Sequence, residues 1–338
     1  MMVFYVAFEK ALAVIRQRDG SWGVSLHLAG SQPQCLAVDP LQPAHAYCGT
    51  FDRGLWRSAD AGASWTPAGP GIAHERVMSV AVSATDRAGD AGVVYAGTEP
   101  SAIFRSEDQG HSWRELDALR KLPSAATWSF PPRPWTSHIR WITTDPLTPG
   151  RLFAAAEAGA LVRSLDGGRS WEDRKPGGPF DTHTLIMHRL APKRLYSAAG
   201  DGFVQSDDGG ETWHRPDAGL GYPYLWSAAA SPADPDTLVV SAAPGPQEAH
   251  TERSAESAIY RRFGRGPWQQ IHEGLPPARG LLASVLAANE AEADTFYAAN
   301  NKGLFRSIDG GLSWEELPIG WPGNERLGRP HALVVAPE

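Results

Sequence analysis

Apolar residues in this chain come in short runs separated by clusters of Asp, Pro, Gly and Asn. Short runs bounded by turn-forming residues read as β-strands. Four kinds of run follow one another in a fixed order. The first is small and apolar: CLAV at 35–38, SVAV at 79–82, WITT at 141–144, TLIM at 184–187, SAAA at 227–230, VLAA at 285–288 and ALVV at 332–335. The second ends in small residues, as in AYCGT at 46–50, VVYAGT at 93–98 and RLFAAA at 151–156. The third runs into a serine, as in GLWRS, AIFRS, ALVRS, GFVQS and GLFRS. The fourth is predicted to begin at a tryptophan.

The serine and the tryptophan belong to one motif, Ser-x-Asp-x-Gly-x-(Ser/Thr)-Trp. It occurs as SADAGASW, SEDQGHSW, SLDGGRSW, SDDGGETW and SIDGGLSW, ending at Trp65, Trp113, Trp171, Trp213 and Trp314. Two degenerate copies end at Trp22 and Trp268. The seven tryptophans are 43, 48, 58, 42, 55 and 46 residues apart. A four-stranded propeller blade takes about 40–50 residues. The seventh first-strand run lies at the C-terminal end, and VFYVAF, ALAVIRQ and SWGVSLHL near the N-terminus supply its partners. The ring is therefore predicted to close by pairing His331–Ala336 with the N-terminal strands, which removes exposed sheet edges. The expected fold is all-β: a seven-bladed β-propeller of four-stranded antiparallel blades, forming one domain over 1–338.

Within the motif a short carboxylate can accept hydrogen bonds from its own turn, and glycine allows a positive φ. Asp60, Asp108, Asp166, Asp208 and Asp309 repeat in five blades, so they cannot all serve one catalytic centre. A structural role is expected for them. The motif resembles that of the Asp-box (BNR) repeat propellers, and the resemblance covers essentially the whole chain. That family includes sialidases, xyloglucanases, sortilin-type receptors and a photosystem II assembly factor, so the resemblance implies a fold and leaves function open. It also implies a ligand site on the face opposite the Asp-box turns.

Composition narrows the partners. The formal charge is −7, whereas nucleic-acid phosphates call for a basic face. No segment approaches the roughly 18 apolar residues of a membrane span, and the start MMVFYVAFEK lacks the basic region of a secretory signal. Cys35 and Cys48 are the two cysteines. They are expected to be small buried side chains, consistent with a reducing cytoplasm. A cytoplasmic monomer that binds neither nucleic acid nor membrane is expected.

Aligning the first strands puts one residue of each at the channel mouth: Gln34, Met78, Arg140, His183, Trp226, Ser284 and His331. The ends of second strands add Glu9, Glu99 and Glu157, with Asp52 and Asp201 one step on. The long segments 114–138 and 244–257 fall on the same face, where insertions in a repeat array mark the working side. They bring Trp128, Trp135 and His250, and Tyr222 and Tyr224 join the rim. His188 falls at the far end of its strand. Arg140, His183, Trp226, His331, Glu99, Glu157, Trp135 and Tyr224 are the candidate ligand-binding residues. Their mixture suits a polar small molecule, a glycan or a peptide, and no catalytic residue is assigned. The histidines have no ligand spacing such as HExxH, so neither metal nor cofactor is expected.

The leading reading is a ligand-binding or assembly-scaffold propeller that recognises a carbohydrate-like or peptide ligand at this mouth. The alternative is a glycoside hydrolase of sialidase or xyloglucanase type. The resemblance would then require a sialidase arginine triad, a Tyr–Glu pair and six blades. For a xyloglucanase it would require a cleft between two propellers. An Arg-Ile-Pro segment is absent near the N-terminus, and one ring is present. A second alternative is a metal-assisted, His-dependent lyase.

Overall fold

The computed structural model describes residues 2–18, 20–322 and 327–337. Its strands form seven antiparallel sheets, six of them meanders of consecutive strands. The first blade is Pro33–Val38, Ala46–Thr50, Leu55–Ser58 and Thr66–Pro67. The second is Arg76–Ala88, Ala91–Glu99, Ile103–Ser106 and Arg114–Glu115. The third is Ile139–Thr144, Leu152–Ala156 and Ala160–Ser164, and the fourth is Thr182–His188, Ala191–Ala199 and Gly202–Ser206. The fifth is Tyr224–Ser231, Asp234–Ala243, Ala258–Phe263 and Gln269–Ile271. The sixth is Val285–Ala288, Phe296–Ala299, Leu304–Ser307 and Glu315–Glu316.

The seventh blade closes the ring. Its inner strand, Pro330–Pro337, pairs antiparallel with Met2–Phe8, which continues into Leu12–Arg18 and Ser21–His27. This is the predicted closure. The fourth strands differ from expectation. In six blades they begin one residue after the motif tryptophan, whereas Trp22 of the seventh lies within Ser21–His27, and in the third and fourth blades they shrink to single bridges, Arg163 to Glu172 and Gln205 to His214. In those six blades the tryptophan itself stays outside the ladder, beside the turn.

The second strands are buried along most of their length, and Ala91–Glu99 is buried at every position. Small residues there let neighbouring blades approach. A Cβ at Gly97 would lie 2.7 Å from Ile139 of the next blade. Larger anchors fill the wider outer zone, with Tyr5, Tyr47, Tyr95, Tyr196 and Tyr297 fully buried on second strands. Cys35 and Cys48 are free and buried. First-strand side chains also tie blade to blade: Ser79 Oγ donates to Ile139 O (2.7 Å), Thr143 Oγ1 to Leu185 O (2.8 Å) and Thr184 Oγ1 to Trp226 O (3.3 Å). Around the axis these strands enclose a channel of ≈ 360 Å³ lined by residues such as Leu36, Val80, Ile142, Ile186, Leu333 and Val335. Among the described residues no helix is long and apolar enough to cross a membrane.

At the third-strand end the five Ser-x-Asp-x-Gly turns share one geometry. In the third blade Ser164 Oγ donates to Asp166 Oδ1 (3.0 Å) and accepts from Gly168 N–H (2.8 Å). Ser170 donates its N–H to Asp166 Oδ1 (2.9 Å) and its hydroxyl to Oδ2 (2.6 Å). The same set recurs around Asp60, Asp108, Asp208 and Asp309. Gly168 holds φ at 85°, a conformation glycine adopts without a Cβ clash. Ser206, which opens the fourth blade's turn, pairs with Leu195 in the middle of the second strand, Ala191–Ala199. Ala199, where that strand ends, pairs with Thr182. The turns therefore lie at the end of the ring opposite the starts of the first strands.

Candidate ligand site at the channel mouth

The mouth is shaped by a repeated irregularity in the inner strands. In six blades the pairing register slips by one residue near the start of the first strand, at Gln34, Met78, Arg140, His183, Trp226 and His331. A bulged residue is freed from the ladder and its side chain is re-aimed. The six are the channel-mouth residues that sequence alignment selects. Ser284 of the sixth blade precedes its strand, Val285–Ala288.

Above the channel lies a cavity of ≈ 650 Å³. Of the candidate residues, Arg140, Trp226, His331, Glu157 and Tyr224 line it. Three predicted residues do not. His183 is fully buried beneath the lining. Its ring packs 4.8 Å from Trp226 and 5.0 Å from Tyr224, and its Nδ1 donates to Leu225 O (2.7 Å). Glu99 is also buried. Arg76 Nη1 (2.6 Å), Arg133 Nε (3.0 Å) and Arg133 Nη2 (2.5 Å) take its oxygens, so it anchors arginines and leaves none of its capacity to a ligand. Trp135 is 79% exposed and outside the cavity. Its loop closes on itself through Phe130 N–H to Thr136 O (2.8 Å) and Arg133 N–H to Phe130 O (2.8 Å). Phe130 and Arg133 line the cavity in its place. Trp128 leaves the rim too. It is buried against Gly159, with its indole N–H on Ser124 Oγ (3.1 Å).

Sequence reasoning missed His138, Asp181 and Gln32 and left His250 unplaced; all four line the cavity. A signal was available. The residues two before the six bulge positions and Ser284 are Gln32, Arg76, His138, Asp181, Tyr224, Leu282 and Arg329, and five of them line the cavity. Residues two apart on a strand share a face, so the strand entries build a second ring. His250 arrives on a short helix, Pro246–His250, in the long loop of the fifth blade.

The polar groups form two clusters. In one, His138 lies between two carboxylates: its Nε2 is 2.7 Å from Glu157 Oε2 and its Nδ1 3.4 Å from Glu99 Oε2. Burial lowers the His138 pKa, but Glu157 and Glu99 outweigh burial and raise it. Burial likewise opposes charge on Glu99, yet His138, Arg133 and Arg76 bring its pKa down to about 2. Glu157 is held well below the carboxylate range against the cost of burial by His138, then His183 and Arg140. Asp181 goes the other way: burial raises its pKa, His183 counters, and Glu157 adds to the rise.

The second cluster is cationic and aromatic. The guanidinium of Arg140 lies 4.5 Å from the Trp226 ring and that of Arg329 5.7 Å. Among the described residues Arg140 Nε is buried without a hydrogen-bond partner, 3.8 Å from Glu157 Oε2. Burial and Arg140 lower the Arg329 pKa. His250 packs 4.2 Å from Trp226, and its Nε2 is 3.0 Å from the Tyr224 hydroxyl. Burial, then Arg329 and His183, push His250 down to about 2. His331 Nδ1 donates to Pro33 O (2.9 Å), and burial followed by Arg329 lowers it to about 3. Both histidines are therefore neutral at pH 7.

No family model matches the chain. Over 267 residues it is 25% identical to the xyloglucanase Xgh74A of Acetivibrio thermocellus, covering 72% of this chain and 27% of that enzyme. The chain thus spans about a quarter of the length of that relative. The GH74 xyloglucanase from Xanthomonas campestris superposes with a TM-score of 0.67 at 15% identity, over 93% of this chain and 52% of that one. YCF48 bound to D1 peptide superposes with a TM-score of 0.60 at 16% identity, over 90% and 92%. These likenesses establish a seven-bladed propeller with xyloglucanase-like and YCF48-like neighbours.

Proposed function

We propose that this chain is a ligand-binding propeller whose cavity takes a polar ligand, a glycan or a peptide, that carries an anionic group. The carrying observation is the pair Arg140 and Arg329 against Trp226. Two guanidiniums share one indole, and Arg140 Nε has no hydrogen-bond partner. A buried cation without full pairing is costly. A carboxylate or similar group on the ligand would satisfy both, while Trp226, Tyr224 and Phe130 offer flat surfaces to a sugar ring or a side chain. YCF48 bound to D1 peptide, with the same fold, supports a peptide as one form of this ligand.

The test is calorimetric titration with uronate-containing oligosaccharides, neutral xyloglucan oligosaccharides and peptides with a free C-terminal carboxylate. Binding of an anionic probe should weaken at least tenfold in Arg140→Met and in Arg329→Met. Equal affinity in both variants would remove the arginine pair from the site. A second reading has its own observation. Glu157 and Asp181 bring carboxylate oxygens within 4.8 Å of one another, and their pKa values are displaced in opposite directions. Such divergence marks acid–base pairs, and a short separation belongs to retaining glycosidases. On that reading xyloglucan oligosaccharides should release new reducing ends, and Asp181→Asn should stop it.

A further inference from the structure

Three polar side chains of the mouth each have one atom held and one atom free. Glu157 Oε2 is taken by His138 Nε2 (2.7 Å). Asp181 Oδ1 accepts the N–H of Ala158 (2.9 Å). His183 Nδ1 donates to Leu225 O (2.7 Å). The remaining atoms face one another: His183 Nε2 is 3.6 Å from Asp181 Oδ2 and 3.8 Å from Glu157 Oε1. All three lie within 4.8 Å.

These separations are too long for good hydrogen bonds. With the Nδ1 proton given to Leu225 O, the Nε2 of an unprotonated imidazole would offer a lone pair beside the two free carboxylate oxygens. The Tyr224 hydroxyl is 3.5 Å from Nε2, but it also faces His250 Nε2 at 3.0 Å and has one proton to give. The His183 ring is wholly buried, so water cannot approach from behind. Ligands about 2.1 Å from a tetrahedral ion stand roughly 3.4 Å apart, close to the 3.6 and 3.8 Å between His183 and the two carboxylates.

We propose that Glu157, Asp181 and His183 bind one divalent transition-metal ion of the zinc or manganese type, entered from the cavity. One imidazole and two carboxylates form a borderline-to-hard donor set. The held atoms supply the outer hydrogen bonds that orient metal ligands in known sites. Gly200 supports the assignment. Its φ is not positive, yet a Cβ there would lie 2.1 Å from Asp181 Oδ2, so the missing side chain makes room for the free oxygen. Glu157 and Asp181 line the cavity, which leaves a fourth position open. Arg140 approaches Glu157 on the held oxygen, Oε2. This site stands whether or not the cavity takes the proposed ligand. An ion there would use the carboxylate pair on which the hydrolase reading depends.

The test uses the whole chain, stripped with a chelator and titrated calorimetrically with Zn²⁺ and, separately, Mn²⁺, with the melting temperature followed in parallel. The expected result is one ion per chain with a rise in melting temperature. Asp181→Asn and His183→Gln should lose binding. His138→Gln should weaken it about tenfold to a hundredfold, the usual cost of removing an outer partner. His272→Gln, on an exposed loop, should bind as the unaltered chain does. Gly200→Ala should weaken binding by crowding Asp181. Absence of heat and of a melting shift with both ions in the unaltered chain would overturn the proposal and leave a proton on His183 as the group the two carboxylates share. Undiminished binding in Asp181→Asn would overturn it too.

Discussion

The two ends of the ring use the same strands differently. At the turn end, five aspartates make the same hydrogen bonds in five blades. At the mouth, six bulged positions carry Gln34, Met78, Arg140, His183, Trp226 and His331, five different side chains with histidine used twice. Their surroundings include buried polar atoms without partners: Arg140 Nε, Trp226 Nε1 and His250 Nδ1. Repetition satisfies a local turn once and copies it. The mouth is assembled from positions that the repeat leaves free to vary. Unpartnered buried atoms also occur beside the turns, at Trp171 Nε1 and Trp314 Nε1; those of the mouth differ in belonging to residues that line a cavity a ligand can enter.

The contrast can be broken by substitutions at each end. His183→Ala should have the largest effect on folding, a loss of about 3 kcal/mol by urea unfolding. It opens a cavity and leaves the buried Leu225 carbonyl without its donor. A variant as stable as the parent would detach His183 from the blade-to-blade tie. For the same reason this substitution is a poor probe of ligand binding alone. Asp166→Ala should follow, at about 1–2 kcal/mol, because the Gly168 turn loses its organising acceptor. An unchanged urea midpoint would contradict the turn role of the five aspartates.

Arg329→Met should change stability by less than about 1 kcal/mol and in the stabilising direction, since an apolar chain replaces a buried cation set beside another. A large destabilisation would make Arg329 part of the fold and remove the contrast between the two ends. The smallest effect is on pH dependence. Glu99 has a folded pKa of about 2 against an ordinary 4.5. Its contribution is present above about 4.5 and is lost as pH falls towards 2. His138 is raised above 6.5. Its contribution is present below 6.5 and is lost as pH rises through the folded value. Melting curves of His138→Gln should lack that alkaline decline, and a decline identical to the parent's would assign it to another group.

Much of this was readable from residue order. The turn motif fixed the blade count because its serine, aspartate and glycine act within one turn. Bulge positions could be aligned because the first strands share a pattern of small apolar residues. The site was less legible. Glu99 and Trp135 have the right chemistry, but their direction depends on Arg76, Arg133 and the closed loop around Phe130. His138 and Asp181 carried a signal at period two, and that period becomes visible once the bulges are located. His250 carried none, because its place depends on a loop that folds back over the mouth.

Local interactions and the count of a repeat, then, are what the sequence by itself determined: the strands, the recurring turn, the number of blades and, from that count, the closure of the ring by the chain's two ends. These need contacts between near neighbours in the chain, or copies of one pattern. The tertiary structure alone decided which side chains meet. Glu157, Asp181 and His183 come from two blades, and Arg140, Trp226 and Arg329 from three. Curvature of the ring and slips in pairing bring them together, and neither quantity is carried by the identity of any one residue.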